Sequence, residues 1–134
     1  MNPMFTNLTG FVQASRVPNL IIIALTQILV AYALLGKEYL EIFTIGFGGL
    51  VISTLMIAAA GYIINDYYDQ KIDMINRPER VIVGVRLKRR LAMAGHTLLN
   101  FSAIFIGWKI DPVIGLIHFS SAFCLWIYSN QLRR

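Results

Sequence analysis

With 134 residues, 57% of them apolar and 14% charged, and a mean hydropathy of +0.63, the chain is too apolar for an ordinary soluble domain of its length. Its formal net charge of +5 comes with no recognisable nucleic-acid-binding motif, so no nucleic-acid partner is expected. The lone Cys124 excludes an intrachain disulfide framework.

The first 17 residues read as a short N-terminal segment. They lack a basic stretch leading directly into a short apolar core, so no cleavable signal peptide is expected. Apolar spans then follow over 18–35, 42–64, 91–108 and about 112–128, each near the roughly 17–25 residues that cross a hydrocarbon core. Gly46, Gly48 and Gly49 lie early in the second span and read as helix-packing positions, because no strand-turn-helix context marks a phosphate loop. Its end carries Ala58-Ala59-Ala60-Gly61, small side chains that permit close helix approach or a groove for a long chain.

Directly after the second span stands Asn65-Asp66-Tyr67-Tyr68-Asp69-Gln70-Lys71-Ile72-Asp73. At about 100° per residue, Asp66, Asp69 and Asp73 fall within an arc of about 60°, with Asn65 beside it. Negative charge at a helix C-terminus opposes the macrodipole, so three aspartates here call for a compensating cation. All-oxygen ligands favour Mg²⁺, which typically bridges carboxylates to phosphate oxygens. One turn upstream on the same face, Tyr62 offers a π-face to a developing carbocation.

The connection from 65 to 90 reads as a long loop, and loops of that length between packed helices are usually functional. Within it, Asn76-Arg77-Pro78-Glu79-Arg80 sets two guanidinium groups just past the carboxylates, and Pro78 stops any helix continuing from Asp73. Arginine forks match phosphate oxygens, so cation and anion ligands are neighbours in sequence. In the third and fourth spans, His96 and His118 have no carboxylate at metal-ligand spacing and read as packed, hydrogen-bonded histidines. Trp108 and Trp126 near span ends read as interfacial anchors.

Ten of the 12 Lys and Arg residues lie before the first span, in the 65–90 connection or after the fourth span, against Lys37 and Lys109 on the other side. The positive-inside rule then places both termini and the aspartate motif at the cytoplasmic face of the cell membrane.

Asn65-Asp66-x-x-Asp69-x-x-x-Asp73 followed by Asn76-Arg77-Pro78-x-Arg80 resembles the first signature of the UbiA-type intramembrane prenyltransferases. Arg16-x-Pro18-Asn19 resembles the opening of that family's first helix, and the similarity runs along essentially the whole chain. Arg80-Val81-Ile82-Val83-Gly84 and Arg89-Arg90 are similar to the geranylgeranylglycerol-phosphate synthase-like branch.

The resemblance implies an all-α, multi-pass membrane bundle in which residues 1–134 form a partial domain, the N-terminal half of a fold of about nine helices. It implies Mg²⁺-dependent prenyl transfer from a polyprenyl diphosphate to an aromatic or lipid-precursor acceptor in the bilayer. Asp66, Asp69 and Asp73 would be the Mg²⁺ ligands and catalytic residues; Asn65, Arg77, Arg80, Tyr62 and Asn19 would bind substrate. The family's second aspartate-rich motif has no counterpart here. Of the remaining acids, Glu38, Glu41 and Asp111 are expected on the opposite side of the membrane, and Glu79 stands alone in the loop. The chain alone is therefore expected to be catalytically silent, with a C-terminal half or a homo-oligomer as partner.

Two other readings stay open. One is a non-catalytic half-domain that binds lipid diphosphate or a partner subunit. The other is a CDP-alcohol phosphotransferase, against which Gln70-Lys71 after Asp69 argues, since that family places glycine and an Ala-Arg pair there.

A single cysteine introduced at position 80 is expected to resist membrane-impermeant maleimide in sealed cells and to label after permeabilisation. Labelling from outside would reverse the orientation.

Overall fold

The computed structural model describes residues 3–35 and 44–131. They form five α-helices: α1 (Pro3–Ala14), α2 (Val17–Leu35), α3 (Ile45–Asn76), α4 (Arg89–Ile110) and α5 (Pro112–Gln131). Each of α2 to α5 is long and apolar enough to cross a membrane. The all-α multi-pass bundle expected from the sequence is the one found.

The expected N-terminal segment is itself a helix. Pro3 opens α1, a position where its fixed φ suits a helix and its missing N–H costs nothing. Gly10 brings α1 against the chain beyond α3, where a Cβ would stand 2.9 Å from the Arg86 carbonyl carbon. Ala14, Ile63, Val83, Leu87 and Ala92 form a buried cluster with Phe11, Tyr67, Ile82 and Leu99 packed against it. This cluster docks α1 on the ends of α3 and α4.

Helix α2 is apolar all round, and Ile21, Ile22, Leu25, Leu29 and Leu34 are all exposed, as suits a helix solvated by lipid. Helix α3 is the scaffold, packing on α2, α4 and α5. The Thr44 hydroxyl caps its start by accepting from the Phe47 amide at 3.2 Å. It runs 32 residues, or about 48 Å at 1.5 Å per residue, against a hydrocarbon core of roughly 30 Å. About its first 20 residues suffice to cross, and the segment from Asn65 to Asn76 projects beyond them.

The loop expected over 65–90 is therefore corrected. Residues 65–76 continue the helix, because no glycine or proline interrupts them before Pro78, and the connection proper is 77–88. It opens with a 3₁₀ turn, Pro78–Arg80. The Ile82 carbonyl then accepts the amides of Arg86 at 2.9 Å and Leu87 at 3.0 Å, closing a tight turn through Gly84 at φ 89°. Val83 and Leu87 are 1% exposed, so this strap is packed rather than draped.

The small residues late in α3 serve packing. A Cβ on Gly61 would stand 2.9 Å from Cδ1 of Leu125 in α5, and the buried Ala60 leaves its carbonyl to His96 Nδ1 at 3.0 Å. His118 Nε2 lies 2.8 Å from Ser53 Oγ, which donates to the Leu50 carbonyl. The two histidines thus fasten α4 and α5 to α3, as the sequence suggested. A Cβ on Gly107 would stand 3.3 Å from the Gly115 amide, and Asp111 Oδ1 accepts from the Val113 amide at 2.7 Å, so the α4–α5 hairpin closes tightly. The start of α2, the end of α3, the strap and the end of α5 meet at one end of the bundle.

Gly84→Ala forces a side chain into left-handed backbone and against the Gln70 amide. It is expected to cost about 1–2 kcal/mol, read as a lower melting temperature in detergent; an unchanged melt would contradict the strap turn.

Candidate functional site

The projecting end of α3, the elbow between α1 and α2, and the strap enclose a cavity of about 820 Å³. Along α3 it is lined by Asn65, Asp66, Asp69, Gln70 and Asp73, so the expected aspartate face forms one wall. The strap contributes Arg77, Glu79, Arg80 and Arg86 to the lining, and the elbow contributes Arg16. Four acids and four arginines thus share one cavity at the membrane-proximal end of the bundle.

Helix periodicity accounts for the acidic wall. Asn65 and Asp69 are four residues apart, and Asn65 Nδ2 donates to Asp69 Oδ2 at 3.0 Å. Asp66 turns toward the elbow, where Arg16 Nη2 donates to its Oδ1 at 2.8 Å. Burial pushes the Asp66 carboxyl above the usual carboxylate range. The Arg16 charge and hydrogen bond oppose that push, and the charges of Asp73 and Asp69 add to it. Asp66 therefore feels the two neighbouring carboxylates as well as Arg16.

The donor set fits a hard divalent ion shared with phosphate oxygens. Among the described residues no three Asp, Glu, His or Cys side chains converge as a closed metal cage. Mg²⁺ in general takes one or two protein carboxylates and keeps water and phosphate oxygens in its shell, so it does not require such a cage. Asp66, Asp69 and Asp73 are the residues that would hold it.

Arg77, Arg80 and Arg86 form no ion pair with any described residue. The simple alternative, in which Arg77 and Arg80 merely neutralise Asp69 and Asp73, is not what the geometry shows. Arg86 is held by Gln13 Oε1, which accepts from its Nη1 at 2.9 Å, and Arg77 and Arg80 are exposed on the strap. They remain available to an anion.

Two expected substrate-binding residues lie off the lining. Tyr62 sits beneath the elbow, with the Arg16 guanidinium carbon 5.2 Å from its ring centroid. Asn19 is exposed in the first turn of α2, its amide donating to the Arg16 carbonyl at 2.8 Å.

Arg16 was not among the candidate site residues, and it is the largest omission. It adopts φ 52°, a left-handed conformation costing an arginine about 1–2 kcal/mol. The available signal was a lone cation directly before the first apolar span. Gln13 and Arg86, 73 positions apart, could not be paired from one sequence.

The profile of the UbiA prenyltransferase family matches residues 12–134. The chain belongs to the UbiA prenyltransferase family. It is 37% identical over 130 residues to a digeranylgeranylglyceryl phosphate synthase of Hyperthermus butylicus, covering 95% of this chain and 43% of that protein. A protein of the same name from Saccharolobus solfataricus is 34% identical over 128 residues, covering 96% and 44%. One from Methanosarcina barkeri is 32% identical over 84 residues, covering 63% and 29%. The chain thus spans less than half the length of these curated relatives. No solved structure matches it.

In this UbiA-family chain, Arg80→Ala is expected to leave the melting temperature nearly unchanged, since the side chain is exposed and unpaired among the described residues. It should weaken binding of inorganic diphosphate in Mg²⁺ about tenfold, the scale of one charge-assisted contact. Equal affinity by calorimetry would remove Arg80 from the site.

Proposed function

We propose that this chain carries the diphosphate-binding wall of a Mg²⁺-dependent prenyltransferase at the cytoplasmic membrane face. The observation that supports the reading is the shared cavity, in which an aspartate face and three arginines outside any ion pair with the described residues meet where α3 leaves its apolar stretch. An allylic polyprenyl diphosphate would lie with its chain along the apolar helices and its headgroup in this cavity.

The chemistry asks the protein to stabilise a departing anion. When the allylic C–O bond breaks, its electron pair leaves with the diphosphate, and the acceptor hydroxyl then bonds to the allylic carbon and loses its proton. Mg²⁺, when bound, neutralises charge developing on the leaving group. Asp66, Asp69 and Asp73 hold the metal side of the headgroup, with Asn65 fixing Asp69. Arg77 and Arg80 grip the remaining oxygens. Burial of Val81, Val83 and Leu87 sets the path of the strap that carries them, while the arginine side chains stay exposed to reach a ligand. Tyr62, one turn deeper and beneath the Arg16 guanidinium, would reach the cationic side with its π-face only once that guanidinium has moved.

The relatives' name supports a glyceryl phosphate lipid precursor as acceptor, rather than an aromatic one, and geranylgeranyl as the prenyl group. Two walls are needed to enclose a diphosphate and exclude water. Among the described residues, the acids outside the α3 face are Glu79 on the strap and Asp111 at the α4–α5 turn, at the other end of those helices. We place the facing wall on a further helical segment or a second copy of this chain.

The test is product formation from radiolabelled geranylgeranyl diphosphate in membranes containing this segment together with its facing wall. Asp69→Asn should lower turnover about 10²-fold or more, near 3 kcal/mol of transition-state stabilisation, with the helical circular dichroism intact. Normal turnover at saturating substrate and low Mg²⁺ would refute the assignment.

A further inference from the structure

Arg16 stands where the backbone favours another residue. The Ser15 amide donates to the Phe11 carbonyl at 3.0 Å and the Arg16 amide to that of Gln13 at 3.1 Å, closing α1. The Arg16 carbonyl then accepts from Asn19 at 2.8 Å and Leu20 at 3.3 Å, opening α2. One residue therefore ends one helix and starts the next, at φ 52°. Glycine, or asparagine, meets all of these backbone demands without the strain that a Cβ brings in the left-handed region. The elbow explains the conformation but not the arginine. Strain retained at such a position directs attention to what the side chain does.

That side chain lies over Tyr62 and ends on Asp66, one of the three carboxylates of the acidic wall. Arg16 is 45% exposed and Asp66 only 14%. The carboxylate is thus the more buried partner, while the guanidinium, on its long stem, is the solvent-accessible one. Arg86 also reaches the end of α1, where Gln13 holds it, but among the described residues Arg16 is the arginine paired with an aspartate of the wall.

A guanidinium bonded to Asp66 Oδ1 and a divalent ion ligated by the same oxygen compete for one set of lone pairs. A diphosphate ester with a single Mg²⁺ keeps a net negative charge, and its oxygens match the guanidinium fork at least as well as a carboxylate does. Resting on the reading of this cavity as a Mg²⁺-diphosphate site, we propose that Arg16 is a diphosphate-binding residue that exchanges partners. It holds Asp66 in the unloaded cavity and transfers its guanidinium to a diphosphate oxygen when the Mg²⁺-bound headgroup enters.

The exchange makes a prediction of opposite signs. Removing the guanidinium removes a competitor for Mg²⁺ alone and a ligand for the Mg²⁺-diphosphate. The full chain and its Arg16→Gly and Arg16→Asn variants, both compatible with the elbow, would be titrated by calorimetry in lipid nanodiscs. Mg²⁺ alone is expected to bind the variants several-fold more tightly. The non-ionising probe geranylgeranyl thiolodiphosphate, in saturating Mg²⁺, is expected to bind them about tenfold more weakly. Arg16→Lys should recover part of the second loss but not the fork geometry.

Unchanged affinities in both titrations would make Arg16 a surface ion pair and overturn the proposal. Weakening of both together, or a lower melting temperature for Arg16→Gly, would assign Arg16 to the elbow alone. Failure of the unsubstituted chain to bind the probe in Mg²⁺ would overturn the site reading itself, and the exchange with it.

Discussion

Three carboxylates on one face of α3, next to apolar helices, are the constraint that organises this end of the molecule. Each repels the others, and partial burial of Asp66 removes much of the water that would screen them. Local helix energetics oppose the arrangement too, since negative charge near a helix C-terminus faces the negative end of the macrodipole. The protein answers with groups from elsewhere in the chain. Arg16 reaches Asp66 across 50 positions, and Asn65 takes Asp69 within the same helix. Docking of α1 and the strained elbow at Arg16 are the structural means by which that first cation is delivered.

The remaining structure keeps the acidic face in a fixed place. Helix α3 continues past its crossing length without a break, so the carboxylates inherit the rigidity of a helix anchored in the bundle. Its hold on α4 and α5 comes from small residues and two histidine hydrogen bonds, to Ala60 O and Ser53 Oγ. In an apolar environment there is little hydrophobic gain from helix contact, so close packing and polar links take over. The exposed Phe101, Phe105, Phe119 and Phe123 on α4 and α5 show the complementary side, where the bundle meets lipid or further protein.

Much of this was legible in the sequence because the signals were local. The four spans follow from apolar runs, and the aspartate wall from the spacing of Asp66, Asp69 and Asp73 on one helix. Arg77 and Arg80 could be placed nearby because they follow within a few residues. Helix α1 was not legible: it is only 12 residues long, and its stability comes from docking through Gly10 and Phe11 onto a strap more than 70 residues later. A helix through Asp73 stopped by Pro78 was legible from the aspartate spacing, but the connection was drawn from Asn65, where the apolar run ends, whereas α3 continues to Asn76. Arg16 escaped because its role depends on a contact with Asp66 that no spacing rule relates to it.

The strap shows why the cavity does not neutralise itself. Four arginines and four acids within one cavity could collapse into ion pairs, and surface pairs of that kind gain only about 0–1 kcal/mol each. Val81, Val83 and Leu87 are buried, with far more apolar area at stake than such a pair returns, so packing rather than charge sets the path of the strap. Gln13 then holds Arg86 with an uncharged acceptor. The strap arginines are left lining the same cavity as the aspartates without forming an ion pair with them among the described residues. On the proposed reading, a polyanion carrying its own divalent cation would engage both the aspartates and the arginines. The placement of the charged residues around the cavity therefore resides in the buried apolar contacts beneath the strap as much as in the charges themselves.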